Sequence, residues 1–312
     1  MDPLMYLFDV AIFVGIFGIL ALSLNLEFGF TGLINFGKVA FFLVGAYTFT
    51  VMARFGIPLV FCFLGGAFLA AVLGLLVSLP ALRLRLDYLA IATLALGEIL
   101  RIVVKAEHWI AGGVWGSPVP AAVSWVGASN RALALGDAAL VYFCLFLSFI
   151  FLQFLTNSPY GRVIRAIRED EIAAEALGKD RLKYKAQVFM LGSALAGLAG
   201  GLYAQHLRFI SPDMFMPMVT FWVWTMIILG GAANIRGALL GALVVEVFIR
   251  GTRIAKDFVH LPVDPYNLQY ILLGLAIIFV LMYRPQGLIK ESEVKTKARE
   301  VALARAKGSG SS

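Results

Sequence analysis

Apolar runs long enough to cross a lipid bilayer recur along most of this sequence. They occupy residues 5–23, 41–54, 58–79, 88–104, 136–155, 186–206 and 268–283, with a further, interrupted run at 219–249. A membrane-spanning helix needs about 20 apolar residues. Only 14% of the residues are charged, whereas a water-soluble domain usually carries about 25%. The sequence therefore predicts an all-α fold, a polytopic transmembrane helix bundle of about eight membrane segments.

Two of the predicted membrane regions are broken by glycine and polar residues. The first break covers residues 25–38, and the second, at 230–237, separates the apolar arms 219–229 and 238–249. Each arm is too short to cross the hydrocarbon core as a straight helix. We therefore expect the two arms to be half-spans that dip into the membrane and come back out.

The residues of the two breaks are candidates for a transport pathway. Irregular backbone is tolerated in a membrane where it lines a cavity, and paired Gly-rich breaks point to a substrate site between the two halves of a transporter. The residues predicted to line this pathway are Asn25, Gly29, Thr31, Asn35, Lys38, Asn234 and Arg236. The alternative is that the glycines only allow helices to pack closely.

Glu98 is an ionisable residue within the predicted span 88–104. Charged residues inside a membrane indicate a functional site by default, so Glu98 joins the predicted pathway. Arg101 lies three residues further on, on the same helix face, and a structural ion pair is the alternative. Glu246, in the second arm of the interrupted run, allows the same two interpretations.

Basic residues predict the orientation of the chain. The formal net charge of +7 is concentrated in a few loops and near the end of the chain, as the positive-inside rule requires, so it does not indicate nucleic-acid binding. Residues 83–85, 157–185 and 284–307 are expected in the cytoplasm. The Trp-containing loop 105–135 is then outside, and so is the basic cluster of Arg250, Arg253 and Lys256.

The charged segment 157–185 is too long to be a simple turn between two spans. Acidic residues begin its second half and Gly178 ends it, which are the usual signals for the start and stop of a short helix. Small alanines between them are expected to leave room for another protein. The residues predicted to contact a partner protein are Arg165, Glu169, Asp170, Glu171, Ala174, Glu175 and Gly178. The alternative is an ordinary solvated loop.

No pattern in the sequence indicates an enzyme or a metal site. Gly32, Gly37 and Lys38 match the glycine and lysine spacing of a phosphate-binding loop, but Val39 replaces the hydroxyl residue that binds magnesium. We therefore expect no ATP site and no cofactor in this chain. Three alternatives to an ATP-driven transporter are an intramembrane enzyme, a secondary transporter and a channel.

The segment 158–178, SPYGRVIRAIREDEIAAEALG, resembles the EAA loop with which permeases of ATP-binding-cassette importers dock on their ATPase. The chain is similar in particular to LivM-type permeases of branched-chain amino acid importers. Further matches, spread over residues 20–290, are NLEFGFTG at 25–32, FFLVGAY at 41–47, YLAIATLALGE at 88–98, ALAGLAGG at 194–201, ILGG at 228–231 and RPQGL at 284–288.

This resemblance implies the chain's partners and location. The working unit would contain two permease subunits, the second being a related chain, two ATPase subunits and an extracytoplasmic substrate-binding protein. ATP and magnesium would be bound by the ATPases, and the unit would lie in the cytoplasmic (inner) membrane of a prokaryote. Residues 1–307 would form a single permease domain, and residues 308–312 resemble a linker remnant outside it.

The sequence departs from the family pattern within the predicted pathway. Lys38 stands where the family usually has His, and GGVWG at 112–116 and AANIRG at 232–237 also differ from the usual residues. Leucine, isoleucine and valine are the substrates that the resemblance favours. Because of these departures, urea, short amides and other amino acids remain open as substrates.

Overall fold

The computed structural model describes residues 3–120, 130–258, 265–284 and 286–291. The long helices are α1 (Pro3–Thr31), α2 (Lys38–Arg54), α3 (Leu59–Ala81), α4 (Leu86–Ala106), α6 (Asn130–Asn157), α9 (Arg181–Leu207), α10 (Pro217–Gly230), α11 (Ile235–Phe258) and α12 (Pro265–Tyr283). The short helices are α5 (His108–Ala111), α7 (Pro159–Glu169) and α8 (Glu171–Ala176). The strands β1 (Ser117–Pro118) and β2 (Phe209–Ile210) form one antiparallel pair. The predicted all-α bundle is confirmed.

Several of these helices have the length and hydropathy of membrane-spanning helices. Among the described residues, five helical segments are long and apolar enough to cross a bilayer, namely 5–31, 59–81, 132–157, 181–207 and 212–230. Prolines define several helix starts, because a proline in the first turn has no N–H to leave unpaired. Pro159 begins α7, after the Ser158 hydroxyl has capped it, and Pro217 begins α10.

Glycines allow the central helices to approach one another closely. The helix α9 packs against α1, α2 and α3. A Cβ atom at Gly45 of α2 would lie 2.0 Å from the carbonyl oxygen of Gly197 in α9. A Cβ atom at Gly200 would lie equally close to the carbonyl oxygen of Phe42. Backbones in contact at this distance exclude any larger residue. These glycines therefore serve helix packing.

The predicted cytoplasmic segments lie at one end of the bundle, which we call the basic end. The helices α3 and α9 run antiparallel, with Gly74 against Ser193, so residues 83–85 lie beside the start of α9. The Arg168 guanidinium donates to the carbonyl oxygen of Gly29, and Leu288 N–H donates to Leu229. The described part of the tail and the segment 157–185 therefore share this end, as predicted, whereas residues 292–312 lie outside the described chain.

The opposite end of the bundle is tied together by charged side chains. Asp9 of α1 accepts from Arg250 of α11 at 2.7 Å and contacts His206 of α9 at 2.9 Å. The other ring nitrogen of His206 lies 3.7 Å from a carboxylate oxygen of Asp137 in α6. Arg250, which the predicted topology placed at this end, thus has a partner there. The side chains of Arg253 and Lys256 lie outside the described residues.

The structure corrects the bounds of both predicted breaks. The first span does not end at residue 23, because α1 continues to Thr31 and only residues 32–37 are irregular. The second break is confined to residues 231–234. The helix α11 has 24 residues, which gives a length of about 36 Å and exceeds the hydrocarbon thickness. The expectation of a half-span is therefore wrong for this arm. Glu246 does not interrupt the helix, since it is paired with Arg250 one turn further on.

Candidate functional site

The two predicted breaks meet through the side chain of Asn25. Its amide nitrogen donates to the carbonyl oxygen of Asn234 at 3.1 Å, and its side-chain oxygen accepts from Ala233 N–H at 2.9 Å. Gly29 permits this contact, since a Cβ atom there would lie 2.4 Å from the Ala233 nitrogen. Asn25 is 1% exposed. These residues form a hydrogen-bonded contact between α1 and the α10–α11 link, at the basic end.

Asn234 connects this link to the chain that follows α12. Its side-chain oxygen accepts from the N–H groups of residues 236 and 237 and caps α11, while its amide donates to the carbonyl oxygen of Lys290. Ile289 N–H donates to the carbonyl oxygen of Gly230 at 3.0 Å. Gly231 has a φ of +113°, and any Cβ atom there would meet Ile289. The second break is therefore a closed, hydrogen-bonded junction.

Glu27 and Lys38 form an ion pair in the interior of the bundle. The Lys38 Nζ and a carboxylate oxygen of Glu27 are 2.6 Å apart, and both side chains are 0% exposed. The amide of Asn35 donates to the other carboxylate oxygen at 2.9 Å, and the Thr31 hydroxyl donates to the Glu27 carbonyl oxygen. Glu27 was missed as a site residue, although a charged residue within the predicted break 25–38, flanked by apolar runs, was a sufficient signal.

The irregular residues 32–37 hold this ion pair in place. Phe36 N–H donates to the hydroxyl of Thr93 in α4, and Val39 N–H donates to the hydroxyl of Thr220 in α10, both at 3.1 Å. The indole of Trp224 donates to the carbonyl oxygen of Asn35. The structure thus brings Thr31, Asn35 and Lys38 together, and all three are buried in this conformation. Their role in a transport pathway stays a prediction.

Glu98 belongs to a second charged group, which lies on the surface of the bundle. Arg101 donates to both carboxylate oxygens of Glu98, at 2.5 and 3.0 Å. It also donates to Asp213, in the turn before α10, at 2.9 Å, and Lys105 reaches the same carboxylate. The Glu98 side chain is 34% exposed. The predicted pairing with Arg101 is present, and it leaves one side of the group open.

We expect the substitution Glu98→Gln to lower transport more than stability. Arg101 keeps its bond to Asp213, so the loss of stability should be at most about 1 kcal/mol, as for exposed ion pairs. Loss of one charge-assisted contact to a passing substrate or partner should reduce uptake by about tenfold. The measurements are thermal unfolding in detergent and vesicle uptake, with Asp87→Asn, exposed at the basic end of α4, as control. Equal uptake by both variants would leave Glu98 without a transport role.

The segment 157–185 forms two short helices that are anchored to the bundle. Arg168 in α7 donates to Gly29 and pairs with Glu291 at 3.0 Å. Glu171, the first residue of α8, accepts from Lys185 at 2.5 Å and from Arg181 at 2.7 Å. Partial burial works to raise the pKa of Glu171, but the hydrogen bonds from Lys185 and Arg181 outweigh it and hold the pKa below its usual range. This carboxylate therefore fixes α8 to α9 at neutral pH.

The predicted coupling residues divide between the two faces of α8. Asp170 caps the helix by accepting from the N–H groups of residues 172 and 173, and Glu175 pairs with Arg181. Ala174 is only 4% exposed, so it packs against its own chain and does not leave room for a partner, contrary to our expectation. Gly178 follows the helix with a φ of +74° and open space around it. Glu169 is exposed.

Two apolar residues that the sequence interpretation missed protrude from α8. Ile172 and Leu177 are 79% and 80% exposed. Exposed aliphatic side chains on a charged helix outside the apolar spans are typical of a protein-binding surface. Their signal was present in the sequence, as the only large apolar residues between Ile167 and Leu182.

Arg165 and Arg236, assigned to different roles from the sequence, line one cavity at the basic end. The guanidinium carbon of Arg165 lies 5.1 Å from the centre of the Phe30 ring in α1. Within the described ranges, no group of three or more His, Cys, Asp or Glu residues could hold a metal ion.

The long apolar helices and the charges paired among them define a multi-pass, α-helical integral membrane protein. The sequence profile described as "Branched-chain amino acid transport system / permease component" matches residues 6–281. The chain belongs to this family of transport permeases, and the predicted family is confirmed.

Curated relatives agree with this assignment. The chain is 31% identical to the probable branched-chain amino acid transport permease protein LivM of Methanocaldococcus jannaschii, covering 92% of this chain and 94% of the relative. It is 32% identical to the LivM protein of Escherichia coli, over 94% of this chain and 72% of that relative. The LivH protein of M. jannaschii is 28% identical over 73% of this chain. No solved structure matches the chain.

Proposed function

We propose that this chain is the LivM-type subunit of an ATP-binding-cassette importer that moves branched-chain amino acids across the cytoplasmic membrane of a prokaryote. Family membership and the names of the relatives support the substrate class. Both LivM and LivH proteins occur in M. jannaschii and in E. coli, which supports a related chain as the second permease.

The half-exposed group of Glu98, Arg101 and Asp213 is the observation that carries this proposal. Glu98 lies eight residues before the end of α4, or about 12 Å along the helix, and so at membrane depth. Charged side chains there cannot face lipid cheaply. The surface formed by α4 and the turn before α10 therefore faces the second permease. The substrate passes between the two subunits, along the charged side chains of Glu98, Arg101 and Asp213.

The same proposal assigns ATP hydrolysis to partner subunits. This chain binds neither ATP nor magnesium, and α8 transmits the movement of an ATPase through its exposed apolar residues. The anchoring of Arg168 to Gly29 and of Glu171 to Lys185 supports this role, because a push on α8 would reach both α1 and α9. An extracytoplasmic binding protein would deliver the substrate to the opposite end.

Uptake by the reconstituted complex tests this function. The chain should be purified with the second permease and the ATPase, inserted into vesicles, and supplied with binding protein and labelled leucine. Uptake should require ATP and should be competed by isoleucine and valine but not by urea. Uptake without ATP would contradict the proposal and indicate a secondary transporter or a channel. Competition by urea or short amides would contradict the substrate alone.

Cysteine labelling tests the orientation. Lys179→Cys, exposed at the basic end, should react with a membrane-impermeant maleimide only from the cytoplasmic side, and Trp115→Cys, whose native side chain is 83% exposed, only from outside. The native chain, with Cys62 buried and Cys144 within α6, supplies the background. Labelling of position 179 from outside would reverse the assigned topology.

A further inference from the structure

A cavity of about 410 Å³ lies at the basic end, between the last residues of α6 and the first residues of α11. Arg165 of α7 and Arg236 of α11 enter it from two sides, and Phe30 of α1 contributes an apolar surface. The other polar residues of its lining are Gln153, Thr156, Asn157 and Asn234, and the lining contains no carboxylate. The cavity is therefore positively charged and rich in hydrogen-bond donors.

Neither arginine of this cavity forms a direct ion pair with a carboxylate of the described residues. The Nε atom of Arg165 is buried without a hydrogen-bond partner. Glu291, whose charge acts on Arg165, is bonded to Arg168 at 3.0 Å. Burial lowers the pKa of the Arg165 guanidinium, with Glu291 opposing this effect. Arg236 is exposed, whereas Arg165 is partly buried. A partly buried cation without an ion-pair partner is costly, so the cavity is suited to an added anion.

The start of α11 does not supply this anion site. Asn234 already accepts hydrogen bonds from the N–H groups of residues 236 and 237. These two groups of the first turn are therefore not available to an anion. The anion would be bound by the guanidinium groups of Arg165 and Arg236, which can form paired hydrogen bonds to phosphate oxygens.

The helices beside the cavity present an apolar surface on the flank of the bundle. Phe151 and Phe154 of α6 are 43% and 73% exposed, and Leu243 and Val247 of α11 are each 48% exposed. Both helices reach α1 at Gly18, where Leu145 and Leu239 approach within 3.3 Å of a Cβ position. The helices α6 and α11 therefore both pack on α1 and contact each other, and both carry exposed apolar residues beside the cavity. The cavity itself lies where α6 leaves the membrane, at Asn157.

We propose that this cavity binds the phosphate of an anionic phospholipid, whose acyl chains lie along α6 and α11. Charge complementarity selects the headgroup, and the exposed aromatic and aliphatic side chains favour a lipid over a soluble anion. Basic pockets between membrane helices on the cytoplasmic side recognise such headgroups. Because Arg165 belongs to α7, the bound lipid links α6 and α11 to the segment that carries α8. This inference does not depend on the transported substrate.

Lipid titration of the purified permease complex tests the proposal. The complex would be titrated in detergent with phosphatidylglycerol or phosphatidylcholine, and bound lipid would be counted by native mass spectrometry. The native complex should retain phosphatidylglycerol selectively. The double variant Arg165→Gln, Arg236→Gln should bind it about tenfold more weakly or worse, because two charge-assisted contacts are lost. Arg162→Gln, on α7 but outside the cavity lining, is the matched control and should bind normally. The variant Arg165→Lys, Arg236→Lys should keep most of the affinity, since both charges remain.

Each other outcome would overturn the proposal. Equal retention of both lipids by the native complex would show that the site has no anion preference. Equal loss in the Arg162→Gln control would reduce the effect to general surface charge. Displacement of phosphatidylglycerol by inorganic phosphate alone would assign the cavity to a soluble anion. If the glutamine variant does not fold, the lysine variant still tests the proposal: loss of phosphatidylglycerol binding by a folded lysine variant would show that charge at these two positions does not select the headgroup. Its thermal unfolding curve would separate misfolding from lost binding.

Discussion

Replacement of Lys38 by methionine is expected to destabilise the folded chain by about 3–5 kcal/mol, because it leaves the Glu27 carboxylate buried without its counter-charge. Both side chains are 0% exposed, and the pair lies where α1, α2 and residues 32–37 meet. The Asn35 amide remains as one donor to the carboxylate, but a neutral donor does not neutralise the charge. Thermal unfolding of the detergent-solubilised protein, followed by size-exclusion chromatography, measures the effect.

Two further variants make this test specific. The double variant Glu27→Gln, Lys38→Met should recover most of the lost stability, because removing both charges of a buried pair is often neutral. Lys105→Met removes a lysine whose ion pair is exposed, so it should cost at most about 1 kcal/mol. If Lys38→Met lowers the free energy of unfolding no more than Lys105→Met does, the buried pair does not stabilise the packing of α2 against α1.

The second large effect is expected at the exposed face of α8. Ile172→Asp or Leu177→Asp should abolish substrate-stimulated ATP hydrolysis and reduce uptake by about a hundredfold, because a docking surface would have to bury an unpaired charge. Both side chains are about four-fifths exposed, so neither substitution should lower the unfolding temperature of the isolated chain. ATPase activity of the reconstituted complex, with and without loaded binding protein, is the measurement.

Ala174 and Leu84 supply the contrasting controls for α8. Ala174→Trp should lower the unfolding temperature, since Ala174 is buried against its own chain, and any loss of coupling would follow from that damage. Leu84→Asp changes another exposed apolar residue of the basic end and should leave coupling intact. Normal stimulation of ATP hydrolysis in both aspartate variants of α8 would show that this helix is not the coupling element.

Features encoded in short stretches of sequence were predicted well. The membrane helices follow from runs of apolar residues, and the shared end of the three basic segments follows from counting crossings between them. The capping of α8 by Asp170 and its end before Gly178 follow from local capping rules. Each of these predictions depends on neighbours a few residues apart, where side-chain chemistry determines the local backbone directly.

Contacts between distant residues account for most of what the sequence left undetermined. Asn25 was predicted to line an open pathway, but it is hydrogen-bonded to residues 233 and 234, more than 200 positions away. Glu27 has a counter-charge only because the irregular residues 32–37 turn the chain back and place Lys38 beside it. The burial of Ala174 depends on how α8 rests on α9. No local pattern distinguishes a polar residue that faces water from one that binds another helix.

The junction of α10 and α11 cannot form all of its hydrogen bonds while the chain is still being synthesised up to α12. Leu229 and Gly230 receive backbone hydrogen bonds from residues 288 and 289, which leave the ribosome only after α11 and α12 have been synthesised. During insertion, the two carbonyl groups must be satisfied by water or lipid headgroups, since the hydrocarbon core offers no partner. The basic end of the bundle therefore reaches its native hydrogen bonding only after residue 289 has been synthesised, and a nascent chain that stops before Leu288 leaves this junction open.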